Sequence, residues 1–163
     1  MDRDLQQLSI KAGQFLLSRG ATLTAAESCT GGWIAKVITD ISGSSAWFEQ
    51  GFVTYSNEAK TTMLGVSPVT LETYGAVSEQ TVREMANGAL QQAGADYAIA
   101  VSGIAGPGGG SDEKPVGTVW FGFASASGET VAVHRLFRGD RDEVRKQAVI
   151  FALQTLCEGF AEK

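Results

Sequence analysis

Residues 96–102, Asp-Tyr-Ala-Ile-Ala-Val-Ser, constrain the fold more than any other stretch. A nearly continuous apolar run without alternation describes a central strand buried on both faces. The rest of the chain is therefore read for what can surround such a strand. Residues 4–19 place Leu5, Leu8, Ala12, Phe15 and Leu16 at helical spacing, with Gly20 as terminator. Residues 21–26 read as a short strand, and residues 33–41 as a helix with Ile34, Val37, Ile38 and Ile41 inside. After a turn at 42–45, residues 46–55 carry the aromatic and β-branched side chains of a buried strand.

Helical signals then follow in series. Ser56 or Asn57 caps a helix ended by Gly65, Pro68 opens a short one running to Tyr74, and Ser78 caps residues 79–93. Residues 116–124 and 130–137 form a hairpin across 125–128, and Asp140 caps a last helix from Arg141 to about Phe160. Strands alternate with helices early and lie adjacent late. One compact α/β domain over residues 1–163, built on a mixed sheet, fits that order.

Composition narrows the function classes. No apolar run approaches the ~20 residues of a membrane span. Met1-Asp2-Arg3-Asp4 lacks the basic flank and apolar run of a secretory signal, so the cytoplasm is expected. Cys29 and Cys157 are the only cysteines, too few for a disulfide framework or a zinc site. A net charge of −5 argues against a broad nucleic-acid footprint but leaves room for a small anion held by local cations.

Chemistry concentrates in residues 25–32, Ala-Ala-Glu-Ser-Cys-Thr-Gly-Gly, where a hydroxyl and a thiol sit together at a strand-to-helix junction. Unpaired amides and the positive end of a helix dipole favour an anion there. Ser28 needs a base to act as a nucleophile. His134, the only histidine, lies mid-strand in 131–137 and reads as structural or partly exposed. Lys60 ends the stretch Gly-Phe-Val-Thr-Tyr-Ser-Asn-Glu-Ala-Lys, another strand passing into a helix. Partial desolvation or a neighbouring cation would lower its pKa, although most lysines are solvated surface groups.

Several further residues admit two readings. Tyr55 and Asn57 are a strand end and a cap, or they orient the Ser28–Lys60 pair. Cys29 is a rival nucleophile, with a small buried cysteine the favoured alternative. Glu27 is a helix-dipole partner, an acceptor orienting the base, or a surface acid. The loop 103–110, Gly-Ile-Ala-Gly-Pro-Gly-Gly-Gly, has the composition of a phosphate cradle without G-x-G-x-x-G or a P-loop, and equally reads as a mobile flap. Ser102 and Thr118 end adjacent apolar runs and are expected to reach one cleft. Arg138, Arg141 and Arg145 stand at the entry to the last helix, where phosphate binding competes with surface ion pairing. Trp47 and Phe48 mark either a subunit contact or the core.

Taken together, Ala26-Glu27-Ser28-Cys29-Thr30-Gly31-Gly32, Val53 to Lys60, Gly75-Ala76-Val77-Ser78, Ser102 to Pro107 and Lys114 to Val119 resemble the CinA C-terminal domain family. The likeness runs through nearly the whole chain with the motifs in order. It implies a three-layer α/β/α sandwich around a mixed, mostly parallel sheet, in the stand-alone form that lacks the larger N-terminal domain of fused members. It also implies hydrolysis of nicotinamide mononucleotide to its nicotinate form and ammonia, in pyridine nucleotide recycling, with no cofactor and no metal.

On that resemblance Ser28 attacks the carboxamide carbon, Lys60 serves as base and then as acid, and Tyr55 belongs to the catalytic set. Amides near Cys29 to Gly31 are expected to hold the oxyanion, and Arg141 with the Gly-rich loop the phosphate. Glu27, Cys29, Thr30, Gly31, Asn57, Ser102, Gly103, Gly106, Thr118 and Arg141 make up the expected substrate contacts. The expected partners are the small nucleotide and further copies of the chain in a homo-oligomer, not nucleic acid or a membrane. The alternatives are a non-catalytic nucleotide-binding regulator and an amidase for another small amide.

Overall fold

A computed structural model describes residues 3–128 and 130–160. Its strands are β1 (Leu23–Glu27), β2 (Phe48–Val53), β3 (Tyr97–Gly103), β4 (Thr118–Ser125) and β5 (Thr130–Leu136). They form one five-stranded sheet in the order β2-β1-β3-β4-β5. β1 runs parallel to both β2 and β3, whereas β4 is antiparallel to β3 and β5. The sheet is thus mixed, with parallel pairing where helices intervene and antiparallel pairing where a loop without a helix joins the strands.

Helices cover both faces. α1 (Arg3–Ser18), α2 (Trp33–Thr39) and α6 (Arg141–Cys157) lie on one side, and α3 (Asn57–Leu64), α4 (Pro68–Tyr74) and α5 (Glu79–Ala93) on the other. Successive strand residues divide between the layers as the pleat requires: Ile99 and Val101 join the α1/α2/α6 core, while Ala98 and Ala100 join the α5 core. Small residues bring α5 close to its neighbours. A Cβ at Gly122 would meet the Val82 carbonyl, and one at Gly88 the Leu64 carbonyl. On the other side Phe121 and Phe123 fill the space beneath Phe151 and Phe160.

Three local differences from the sequence reading bear on the site. The strand expected over 46–55 begins at Phe48, because Ser44–Ala46 close a 3-10 turn. Trp47 and Phe48 are buried, and the Trp47 ring lies against Gly13 of α1, so they are core residues and not a subunit contact. β1 extends one residue further than expected and takes Glu27 into the sheet. The caps follow the predicted chemistry: Ser56 accepts from the Ala59 amide, which leaves Asn57 as the first residue of α3, and Asp140 forms a capping box with Glu143.

The connections decide where a site can form. The β1 turn passes to α2 on one face, while the β2 turn passes to α3 on the other. Adjacent parallel strands whose exits diverge leave a crevice at their carboxyl ends. Among the described residues no helix is long and apolar enough to cross a membrane.

Candidate active site

Glu27 sets the frame. Its side chain is buried, and its carboxylate accepts from the Ile34 amide at 2.9 Å and the Ala35 amide at 3.0 Å. α2 starts after Gly32, which lies at φ 97 and offers no side-chain cap, so Glu27 caps the helix from within the strand. The first-turn amides of Ile34 and Ala35 are therefore filled by the protein's own carboxylate and are closed to an external anion. Glu27 faces the helix and does not line the cavity.

Ser28 follows at the end of β1, with its amide donating to the Val101 carbonyl at 3.0 Å. Lys60 comes from the first turn of α3 and is only 1% exposed. Its Nζ lies 3.1 Å from Ser28 Oγ, 3.0 Å from the Thr54 carbonyl oxygen and 3.5 Å from the Tyr55 carbonyl oxygen. Among the described residues no carboxylate lies within 4.0 Å of that nitrogen. Burial without a counter-ion pushes the Lys60 pKa below the ordinary lysine value. A neutral amine in this setting spends two N–H groups on the two carbonyls and turns its lone pair toward the Ser28 hydroxyl. At hydrogen-bond distance, that geometry lets Lys60 take the Ser28 proton.

Cys29, beside it, is a different kind of group. Burial pushes its thiol up to about 11, against a smaller opposing effect of Arg145. It stays protonated near neutral pH and cannot compete as a thiolate. Cys29→Ala is expected to keep kcat within roughly threefold of the parent, because it removes a thiol held protonated by burial and leaves the backbone amide in place. Steady-state kinetics check this, and a loss as deep as that of Ser28→Ala would make the thiol the nucleophile.

Ser28, Cys29 and Lys60 open onto a cavity of about 260 Å³ that is also lined by Tyr55, Asn57, Ala76, Val77, Ser102, Gly103, Ala105 and Arg141. Arg141, in the first turn of α6, spans its mouth, with Nη1 2.9 Å from the Gly106 carbonyl oxygen and Nη2 3.0 Å from the Tyr55 hydroxyl. The profile of the CinA C-terminal domain matches residues 5–160 of this chain.

The chain belongs to the CinA C-terminal domain family.

Its curated relatives in that family include the nicotinamide-nucleotide amidohydrolase PncC of Escherichia coli strain K12, 65% identical over 161 residues, covering 99% of this chain and 98% of that protein. The protein of the same name from Pseudomonas putida is 51% identical over 151 residues, covering 93% and 94%. Among solved structures, the competence/damage inducible protein CihA from Agrobacterium tumefaciens superposes with a TM-score of 0.93 at 45% identity, covering 97% of this chain and 96% of that one.

In this member of the CinA family the expected site residues fall into two groups. Ser28, Cys29, Tyr55, Asn57, Lys60, Ser102, Gly103 and Arg141 converge on the cavity, and Gly106 joins them through the carbonyl that Arg141 holds. Glu27, Thr30, Gly31 and Thr118 do not line it. The Thr118 hydroxyl donates instead to the Pro115 carbonyl at 2.7 Å, which fixes the end of the Gly-rich loop. Thr30 is fully buried, and its hydroxyl has no partner among the described residues. His134 is exposed on β5 with its ring 4.7 Å from that of Trp120, away from Ser28.

Two contributions escaped the sequence reading. Ala76 and Val77 line the cavity from within a motif to which no role was given. Arg145 does not stand with Arg141 at the mouth; its Nε donates to the Cys29 carbonyl at 3.0 Å and its Nη2 to the Thr30 carbonyl at 3.2 Å. The available signal was its i+4 spacing from Arg141, which puts both guanidinium groups on one face of α6.

Proposed function

We propose that this protein is a nicotinamide-nucleotide amidohydrolase, converting nicotinamide mononucleotide and water to nicotinate mononucleotide and ammonia. The observation that carries the reading is the buried Lys60 amine, without a carboxylate partner among the described residues, 3.1 Å from Ser28 Oγ at the wall of a cavity. The activity named for relatives 65% identical over nearly their whole length supplies the substrate. As neutral amine, Lys60 accepts the Ser28 proton while Oγ adds to the carboxamide carbon. The tetrahedral intermediate collapses as the Lys60 ammonium gives that proton to the departing nitrogen, which leaves as ammonia. Water then attacks the Ser28 ester with Lys60 again as base, and the acid product departs.

The amide of Cys29, at the cavity wall, stabilises the oxyanion, since those of Ser28 and Gly31 already donate to the Val101 and Ser28 carbonyls and Thr30 is buried away from the cavity. Arg141 uses two of its guanidinium donors on the protein and keeps others for the phosphate at the cavity mouth. Tyr55 and Asn57 position the substrate from the β2 turn, and Ser102 and Gly103 from the end of β3. Residues 1–163 act as one domain, and the reaction belongs to cytoplasmic pyridine nucleotide recycling.

Ammonia release separates this reading from its alternatives. Nicotinamide mononucleotide is expected to turn over, and nicotinamide riboside to show a kcat/KM lower by roughly tenfold or more for want of the phosphate–guanidinium contact. Arg141→Ala is expected to remove that difference. Binding without ammonia release would make the protein a regulator; equal turnover of nucleotide and riboside by the parent would remove the phosphate from recognition and leave an amidase of broader choice.

A further inference from the structure

Arg145 lies outside the cavity, yet it ties down the backbone next to Ser28. Three successive carbonyls there are held: that of Ser28 by the Gly31 amide at 3.0 Å, and those of Cys29 and Thr30 by Arg145 at 3.0 and 3.2 Å. These peptides are trans, and a trans peptide points its carbonyl and its N–H to opposite sides. Each held carbonyl therefore fixes the direction of the next residue's amide. The Gly31 amide is spent within the turn. The amides of Cys29 and Thr30 have no backbone acceptor among the described residues.

The surroundings are shaped to admit the guanidinium. Gly31 sits at φ 57, and a Cβ there would lie 3.2 Å from Arg145 Nη2, so a side chain at this position would both strain the turn and crowd the arginine. The Trp33 ring lies 5.5 Å from the guanidinium carbon and bounds it on another side. The half-buried cation also polarises the peptide it grips, making the N–H at the far end of that peptide a stronger donor.

We infer that Arg145 is a positioning residue: by holding the Thr30 carbonyl it aims and polarises the Gly31 amide, which holds the Ser28 carbonyl and so turns the Cys29 amide to the cavity as the oxyanion donor. The inference rests on the proposed acyl transfer at Ser28. Arg145 touches no reacting atom; it acts through the turn it holds, so its loss is felt where negative charge develops and not where substrate is bound.

The test compares Arg145→Ala and Arg145→Lys in ammonia release from nicotinamide mononucleotide, with affinity measured calorimetrically in the Ser28→Ala background. Arg145→Ala is expected to lower kcat roughly 100-fold, the scale of losing one oxyanion donor. Affinity is expected to stay within about twofold, and the acid limb of the pH profile to stay in place because Lys60 is untouched. Millimolar guanidinium chloride is expected to restore part of the lost rate to Arg145→Ala and none to the parent. Arg145→Lys keeps the cation and is expected to lose roughly tenfold in kcat; it decides the matter if the alanine variant does not fold. Parental kcat in either folded variant, a loss confined to affinity, or a folded alanine variant deaf to guanidinium would overturn the inference. Parental turnover by Ser28→Ala would instead overturn the proposed function, whatever the Arg145 variants do.

Discussion

Ser28→Ala is expected to lower kcat for ammonia release by at least about 10⁴-fold, because in the proposed mechanism it removes the atom that forms the acyl-enzyme and leaves only binding and the oxyanion amide. Folding is expected to change little. The Ser28 hydroxyl makes one side-chain hydrogen bond, to Lys60, and Lys60 keeps its two carbonyl partners without it. Equal melting temperatures for parent and variant, measured beside the kinetics, therefore separate lost chemistry from lost structure. A variant that folds and still turns over at the parental rate would remove Ser28 from the mechanism.

Lys60→Met is expected to have a comparable effect on rate and the opposite effect on stability. Methionine matches the apolar stem of lysine but offers no proton acceptor, so kcat is expected to fall by roughly 10³-fold or more. The stability change follows from the buried amine. Its folded pKa lies below the ordinary value of 10.5, so between those two pH values the unfolded chain holds a proton that the folded chain does not. Stability therefore climbs with pH across that window, is fully gained above 10.5, and is lost as pH falls through the folded pKa.

Below the window the folded protein must keep a cation in a nearly water-free place. Lys60→Met removes that cost, so urea unfolding is expected to show a stabilised variant without the climb. Each kcal/mol regained would raise Tm by roughly 2–4 °C. The parent's kcat/KM is expected to rise through the same lowered pKa. A rise found only near 10.5 would mean that Lys60 is not the depressed base.

How much of this was legible in the sequence depends on how local each signal is. The strand Tyr97–Gly103 and the helix Glu79–Ala93 could be read directly, since an unbroken apolar run and a 3.6-residue stripe each report the environment of their own segment. The start of β2 could not. Ser44–Ala46 enter a 3-10 turn while Trp47 packs into the core, and an apolar residue looks the same in a strand or in the turn that leads to it.

The pairing of Ser28 with Lys60 lay between these cases. Each residue stood at a visible strand end, but only the parallel register of β1 and β2 brings the two turns together. Glu27 and Arg145 were harder still. A carboxylate capping a helix from inside the preceding strand does not occupy the N-cap position that sequence rules recognise. An arginine gripping carbonyls across the fold looks like any other charge on a helix face. The partner of Thr118 was hidden for the same reason, since its bond to the Pro115 carbonyl is set by the loop's return and not by the strand it begins.

The last described helix also carries a consequence for how the protein comes into being. Lys60 and Ser28 are 32 positions apart, whereas Arg141 reaches Tyr55 across 86 and Arg145 reaches Cys29 across 116. During synthesis the hydroxyl and the amine leave the ribosome early, while both guanidinium groups arrive only with α6. Contacts of such long separation close late, since chain entropy opposes them until the intervening elements are in place. A half-made chain thus lacks both guanidinium groups, and the cavity wall and the turn after β1 are completed only when the final helix docks.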